Sequence, residues 1–290
     1  MVKFKVKQAD AGKRADVFLT VNLPPFSRAA ISRLFVSKAV KSGGKILKAG
    51  HRLAAGEELS VDKSMLEPAL NKIVIPVIYE DDDVTVLNKP AGLLTHSKGA
   101  INLEPTVASF ITLRLTDPSM TGNRAGIVHR LDRGTSGLII TGKHSQAVRS
   151  LQRQFAGRQV KKKYLAVVSG KPQPASARID IPIERHPRQP QSFRVSTAGK
   201  PAQTAYRLLK TFKKAGRQYS LIELEPRTGR THQLRVHMAH IGHPLAGDNL
   251  YGGDQPPFWL HASELSLKLP GGRQRHFKLE PPKSFIDWLR

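Results

Sequence analysis

Gly126-Ile127-Val128-His129-Arg130-Leu131-Asp132-Arg133-Gly134-Thr135-Ser136-Gly137 runs directly into the apolar stretch Leu138-Ile139-Ile140. One carboxylate, Asp132, lies between two guanidinium groups, Arg130 and Arg133. Flanking cations favour the charged form of a carboxylate. The glycines allow a tight turn and the close approach of a ligand. The stretch reads as a turn feeding a buried strand, with Asp132 as a candidate nucleophile acting on a polyanion. Taken alone, an Asp beside two Arg residues is more simply a surface loop. The length of the run and the matches elsewhere in the chain favour chemistry.

Composition narrows the partner. The 290 residues include 47 basic and 22 acidic side chains, a net charge of +25. Such a charge speaks to partners and solubility rather than to fold, and nucleic acid is the expected polyanion. No apolar stretch is long enough to span a bilayer, and Met1-Val2-Lys3-Phe4-Lys5 lacks a signal-peptide core. A soluble, cytoplasmic, monomeric protein that engages RNA or DNA and no membrane is expected. The chain has no cysteine, which excludes disulfides, thiolate metal sites and cysteine nucleophiles.

Working outward, three regions separate: a small basic module over residues 1–63, a linker over 64–72 and a large mixed domain over 73–290. In the module, Asp16-Val17-Phe18-Leu19 reads as helix. Ser27 reads as the N-cap of a second helix, in which Ile31, Leu34 and Phe35 share one face while Arg28 and Arg33 point outward. Gly43-Gly44 marks a turn, and Leu59-Ser60-Val61 a closing strand. In the large domain, Val74–Tyr79 and Val84–Leu87 read as strands around the acidic turn Glu80–Asp83. Ser145 is the expected cap of a helix with Val148, Leu151 and Phe155 on one side. Alternation from Tyr164 onward reads as a strand. The basic residues before it, Arg158, Lys161, Lys162 and Lys163, read equally as a phosphate-contacting stripe and as a solvated loop. Strands outnumber helices, so the expected class is α+β with a mostly antiparallel sheet.

The run around Asp132 resembles the central motif of the RluA-type pseudouridine synthases, enzymes of large-subunit ribosomal RNA. By that resemblance Asp132 is the catalytic residue. Asn88-Lys89-Pro90-Ala91-Gly92, with His96 after it, is similar to the family's opening catalytic motif and suggests RNA contacts at Lys89 and His96. Lys163-Tyr164-Leu165 is similar to the second motif, which implies that Tyr164 stacks on uracil and takes part in removing the proton at carbon 5. Arg227-Thr228-Gly229-Arg230-Thr231-His232-Gln233-Leu234-Arg235 is similar to the third. It implies that Arg230 pairs with Asp132, with His232 and Arg235 near the RNA. His243-Pro244-Leu245-Ala246-Gly247-Asp248 and Tyr251-Gly252 match a late motif, read as structural. Residues from about Lys3 to Asp62 resemble the ribosomal-protein S-four type RNA-binding domain, on Ala15–Leu19, Ser27-Arg28, Gly44-Lys45 and Leu53…Gly56-Glu57. Lys38 and Gly43 depart from that pattern.

The resemblance therefore implies a catalytic domain on a mostly antiparallel mixed sheet with a central cleft, and a small N-terminal α/β RNA-binding module. It implies an isomerase acting on uridine in RNA, ribosomal rather than transfer RNA. Asp132, Tyr164 and Arg230 are its expected catalytic set, and Arg28, Arg33, Arg130, Arg133 and Lys161–Lys163 its expected RNA contacts. Whether Asp132 attacks ribose carbon 1′, acts on the uracil ring, or promotes uracil departure without a lasting bond stays open. The isomerisation needs no redox change and no leaving group, and no cofactor motif is present, so no cofactor is expected. A metal cluster of His232, His237, His240 and His243 competes with the stripe Leu234, Met238, Ile241, which already explains an amphipathic helix, and no metal is expected. Gly134-Thr135-Ser136-Gly137 is one residue short of a hydrolase elbow. The chain has no glycine-rich phosphate or dinucleotide loop. A non-catalytic RNA-binding factor of the same fold is the competing reading.

Overall fold

The computed structural model describes residues 1–23, 26, 28–64, 73–97, 104–252 and 257–290. Ser27 and nearly all of the expected linker, residues 65–72, lie outside them. The chain forms two compact units, one of Met1–Val74 with 96–113 and 121–125, the other of Ile75–Thr95, Arg114–Met120 and Gly126–Arg290.

The first unit contains β1 (Val2–Lys5), α1 (Ala15–Asn22), α2 (Arg28–Val36), β2 (Val40–Ser42), β3 (Lys45–Ile46), β4 (Glu58–Val61) and α3 (Val107–Thr112). Its four strands are antiparallel in the order β1-β4-β2-β3. Phe18 and Leu19 of α1 and Ile31, Leu34 and Phe35 of α2 are buried in one core with Leu59 and Val61. That is the apolar face expected from the i, i+3, i+4 spacing. Gly43 and Gly44 turn β2 into β3 with φ of 53° and 79°, a left-handed pair matched to the strand twist.

The second unit holds β5 (Val77–Glu80), β6 (Val84–Lys89), β7 (Ser136–Gly142), α4 (Ser145–Ala156), β8 (Lys161–Ser169), β9 (Ser176–Asp180), β10 (Ile183–Arg185) and β11 (Phe193–Val195). It continues with β12 (Gln203–Lys214), β13 (Arg217–Pro226), α5 (Gln233–His240), β14 (Leu260–Lys268), β15 (Gln274–Lys278) and α6 (Lys283–Trp288). A nine-stranded sheet runs β5-β6-β7-β14-β8-β13-β12-β9, with β15 beside β14. Among the described residues only the short β7–β14 pairing is parallel. This is the α+β class with a mixed, mostly antiparallel sheet. Gly137 explains how β7 meets β14: its φ is +107°, and a Cβ there would lie 2.3 Å from the Ala262 carbonyl oxygen. No L side chain fits that approach.

The acidic turn before β6 has local work. Asp81 accepts from the Asp83 and Val84 amides, Glu80 pairs with Lys143 at 3.2 Å, and Asp83 meets His144 at 2.9 Å. His144, not Ser145, is the N-cap of α4; its Nδ1 accepts from the Ala147 amide. β8 begins at Lys161, three residues ahead of the strand expected from Tyr164. Among the described residues no helix is long and apolar enough to cross a membrane.

Candidate active site

Asp132 sits on the turn between Leu131 and β7, and this turn is held by hydrogen bonds rather than by length. The Thr135 amide donates to the Asp132 carbonyl at 3.1 Å. Thr95 grips Leu131 twice, accepting from its amide at 3.1 Å and donating to its carbonyl at 2.8 Å. The Gly92 amide donates to the Arg133 carbonyl at 2.8 Å. His129, two residues before Leu131, accepts from the Ile140 amide at 3.1 Å and stacks on Phe155 at 4.6 Å. Burial pushes its imidazole down to about 3, so it packs as a neutral ring.

Lys89 completes this clamp, and the expectation that it touches RNA is corrected. The side chain is fully buried at the end of β6. Its ammonium donates to the carbonyls of Pro90 (3.0 Å), Leu93 (2.7 Å) and Arg133 (3.2 Å). Three donors meet three acceptors, so none is left for a phosphate. Burial pulls the amine down to about 7, opposed by the nearby Asp132 charge. Lys89→Met strips three carbonyls of a partner. It is expected to cost roughly 2–4 kcal/mol in urea denaturation and to lower kcat more than it raises KM.

The Asp132 carboxylate opens onto a cleft of about 480 Å³, whose walls include Tyr164, Lys162, Arg227, Arg230 and His232. The expected partner, Arg230, is not the cation that approaches it. Arg230 Nε donates to the Pro201 carbonyl at 3.0 Å, whereas Arg235 Nη1 lies 3.6 Å from Asp132 Oδ2 and His232 Nε2 4.0 Å. Arg230 belongs to the loop before α5, while Arg235 stands in the helix's first turn. The direction of that turn is set by His232, whose φ of 56° is left-handed. It is set also by Gln233, which receives hydrogen bonds from the Thr228 hydroxyl (2.7 Å) and the Arg230 amide (3.0 Å).

Arg235 is itself fixed. Its Nε and Nη2 donate to the two oxygens of Asp248, each at 2.7 Å, and the Asp248 side chain is completely buried. The guanidinium lies 5.0 Å from the Tyr251 ring centroid and 5.4 Å from that of Phe258. Burial works against the Arg235 charge, but the hydrogen bonds and charge of Asp248 outweigh it and raise its pKa. The Tyr251 hydroxyl accepts from the Phe193 amide at 2.9 Å and meets His232 Nδ1 at 2.7 Å. Burial keeps the His232 imidazole below its ordinary value, against the pull of Asp132. Asp248 and Tyr251, from the late motif read only as structural, thus hold the cation and the imidazole beside Asp132.

Tyr164 is buried in the cleft wall, and burial, with Asp132 adding to it, raises its phenol well above the ordinary value. It remains a neutral phenol at physiological pH. That suits an apolar or hydrogen-bonding contact with a base better than proton removal by a phenolate.

The basic stretch before Tyr164 does not form one stripe. As part of β8 its residues alternate. Lys161 is exposed, Lys162 turns into the cleft, and Lys163 turns away to Glu223 at 3.3 Å and Glu264 at 3.9 Å. Burial brings the Lys162 amine down to about 8. Arg130 is exposed on the cleft rim, and Arg133 is exposed. In the first unit, Arg28 gives Nε and Nη2 to the buried Asp16, at 3.2 and 2.9 Å, while its side chain stays largely exposed. Arg14 is the larger influence there, and together they hold Asp16 near 2. Arg33 is exposed and His96 half-buried in that unit. Of the histidines after Arg230, His237 bonds to Thr204 and Ile181 and His243 to Ser169, each on its own partners.

Comparison with known proteins agrees with this architecture. Residues 83–240 match the model of the RNA pseudouridylate synthase family. The chain is 38% identical over 256 residues to ribosomal large subunit pseudouridine synthase D of Yersinia pestis, covering 87% of this chain and 77% of that one. It is 36% identical to the protein of that name from Borreliella burgdorferi, covering 95% and 88%. Among solved structures, human RNA pseudouridylate synthase domain containing 1 superposes with a TM-score of 0.61 at 28% identity, over 73% of this chain and 86% of that one. With its mixed sheet, its Asp132 turn and these relatives, the chain belongs to the RNA pseudouridylate synthase family.

Proposed function

We propose that the protein isomerises uridine to pseudouridine in large-subunit ribosomal RNA, with Asp132 as the nucleophile. The observation that carries this reading is the placement of the Asp132 carboxylate: open to a basic cleft, 3.6 Å from an Arg235 locked onto buried Asp248. A fixed guanidinium aims the carboxylate without capping both of its oxygens. The names of the relatives support the ribosomal substrate.

In the reaction the N1–C1′ bond breaks, uracil turns, and C5 bonds to C1′. The proton at C5 is lost and N1 gains one, so atoms and electrons balance within one nucleotide. Asp132 acts at the sugar or the ring. Tyr164 holds the base by its ring, which requires the uridine to leave its stack. His232 and Arg235 stabilise the carboxylate. Residues 1–63 act as an RNA-binding module of the S-four type, joined by 64–72 to the catalytic domain at 73–290, in a monomeric cytoplasmic enzyme. Arg33, Lys161, Arg130, Arg133 and His96 contact RNA in this reading.

Lys162 supplies a cation inside the cleft, and its sign can be tested. The ammonium is present below about pH 8 and lost above it. If it holds a phosphate, kcat/KM of wild type falls as pH passes about 8, because that ratio reports the free enzyme. Lys162→Arg stays charged and lacks the fall near pH 8, keeping only the changes that both proteins share. Identical profiles for both proteins would remove Lys162 from substrate binding.

The function itself is tested by incubating unmodified large-subunit ribosomal RNA and transfer RNA with the protein, digesting to nucleosides and separating them. Pseudouridine in the ribosomal RNA is expected. Pseudouridine in transfer RNA alone would overturn the substrate, and none in either would favour the RNA-binding factor.

A further inference from the structure

The cleft continues past its rim onto helix α4. Gln152 and Ala156 line both the cleft and a neighbouring depression of about 420 Å³, whose other walls are Arg149 and Arg153. These four residues fall at i, i+3, i+4 and i+7, so they make one stripe on the helix surface. All four are exposed, while Ala147 and Leu151 on the opposite side are buried.

The charge of this stripe is uncompensated. Helix α4 contains no acidic residue. Among the described residues, neither the Arg149 nor the Arg153 side chain has a hydrogen bond or ion pair, and Arg158, just past the helix and in the cleft wall, has none either. Some cations of this unit have acidic partners, as Lys143 has Glu80, Lys163 has Glu223 and Arg194 has Glu184; what sets this stripe apart is its place beside the cleft. Arg149 and Arg153 stand one turn apart, about 6 Å along the axis, a spacing that addresses neighbouring charges on a polymer. An acidic protein would satisfy the charge alone. Continuity with the cleft through Gln152 and Ala156 favours the strand whose base the cleft takes.

We propose that the α4 stripe is the track for the RNA strand on one side of the target uridine, with Arg149 and Arg153 on successive phosphates and Arg158 at the cleft mouth. The proposal rests on the reading of the cleft as the uridine site. Arg149 and Arg153 belong to none of the sequence motifs.

The test compares wild type, Arg149→Ala/Arg153→Ala and Arg149→Glu/Arg153→Glu on a ribosomal RNA fragment labelled with tritium at uracil carbon 5. Both positions are exposed, so melting curves should coincide. At saturating RNA the variants should keep kcat within about twofold. KM should rise on the order of tenfold for the charge reversal. The slope of log(kcat/KM) against log[salt] should become shallower by about 1.4 for the alanine pair, the loss of two single-strand phosphate contacts. Unchanged KM and slope in both variants, with wild type active, would overturn the track. Loss of kcat at saturation would overturn it too, by giving these arginines a different role. An inactive wild type would instead be a failure of the proposed function, which keeps the two ideas separable.

Discussion

Asp132→Asn is expected to bind RNA as wild type does, to melt within a degree or two of it, and to form no pseudouridine. The substitution is isosteric and removes one charge. Asp132 is partly exposed, and its contacts to Arg235 and His232 are long, at 3.6 and 4.0 Å. Their loss costs about 1 kcal/mol at most, and Arg235 stays charged on Asp248. The chemistry has no such tolerance. An amide is a poor nucleophile toward an anomeric or ring carbon, and among the described residues lining the cleft Asp132 is the only carboxylate. The expected loss is on the order of 10⁴-fold or more, the scale seen when a nucleophile is taken from an otherwise intact site. Filter binding, thermal melting and single-turnover kinetics on one preparation check the three parts. A variant within about tenfold of wild-type turnover would mean that Asp132 is an electrostatic neighbour and not the reacting group.

Arg235→Ala should damage both fold and catalysis. The Asp248 side chain has no exposure and has both oxygens on Arg235. Without the guanidinium it is a buried charge with its bidentate partner gone, a loss of about 3–5 kcal/mol, and the Tyr251 and Phe258 rings lose what lies between them. Urea denaturation reads that cost. Turnover should fall by at least 10²-fold in the fraction that remains folded, since Asp132 loses its nearest cation. Arg235→Lys separates the roles: it keeps the charge and loses the fork, so stability should partly recover while kcat stays low. Arg230→Ala is the informative control. Its guanidinium is held by the Pro201 carbonyl, so melting should be near wild type and the effect confined to KM. The opposite pattern, Arg230 severe and Arg235 mild, would reverse the assignment made from the distances.

Which parts of this site were legible in the sequence follows from how local each signal is. The turn at Asp132 announces itself through glycines flanking a charged triplet ahead of Leu138-Ile139-Ile140, and every one of those signals lies within a few residues. The helix faces of α1 and α2 are legible for the same reason. The partner of Asp132 is not local. Arg230 and Arg235 lie in one nine-residue motif, and only the left-handed kink at His232 and the hydrogen bonds to Gln233 decide which one reaches the carboxylate. Lys89 misleads because the motif around it suggests a ligand contact. Its burial becomes visible only when three carbonyls from two segments converge on it. The lysines before Tyr164 mislead by period: in a strand, neighbours part to opposite faces, so Lys162 enters the cleft and Lys163 leaves it. The α4 stripe carried a readable signal, arginines at i and i+4 in a helix without acidic residues. The apolar face of the same helix drew the reading instead.

The most direct measurement is tritium release from large-subunit ribosomal RNA labelled at uracil carbon 5, with wild type and Asp132→Asn side by side. The C5–H bond must break for uracil to be reattached through that carbon, so release, read together with pseudouridine in the digest, reports the isomerisation. Stoichiometric release by wild type and none by the variant is the predicted result. Release by both, or by neither, would contradict the assignment of uridine isomerisation in this RNA to Asp132.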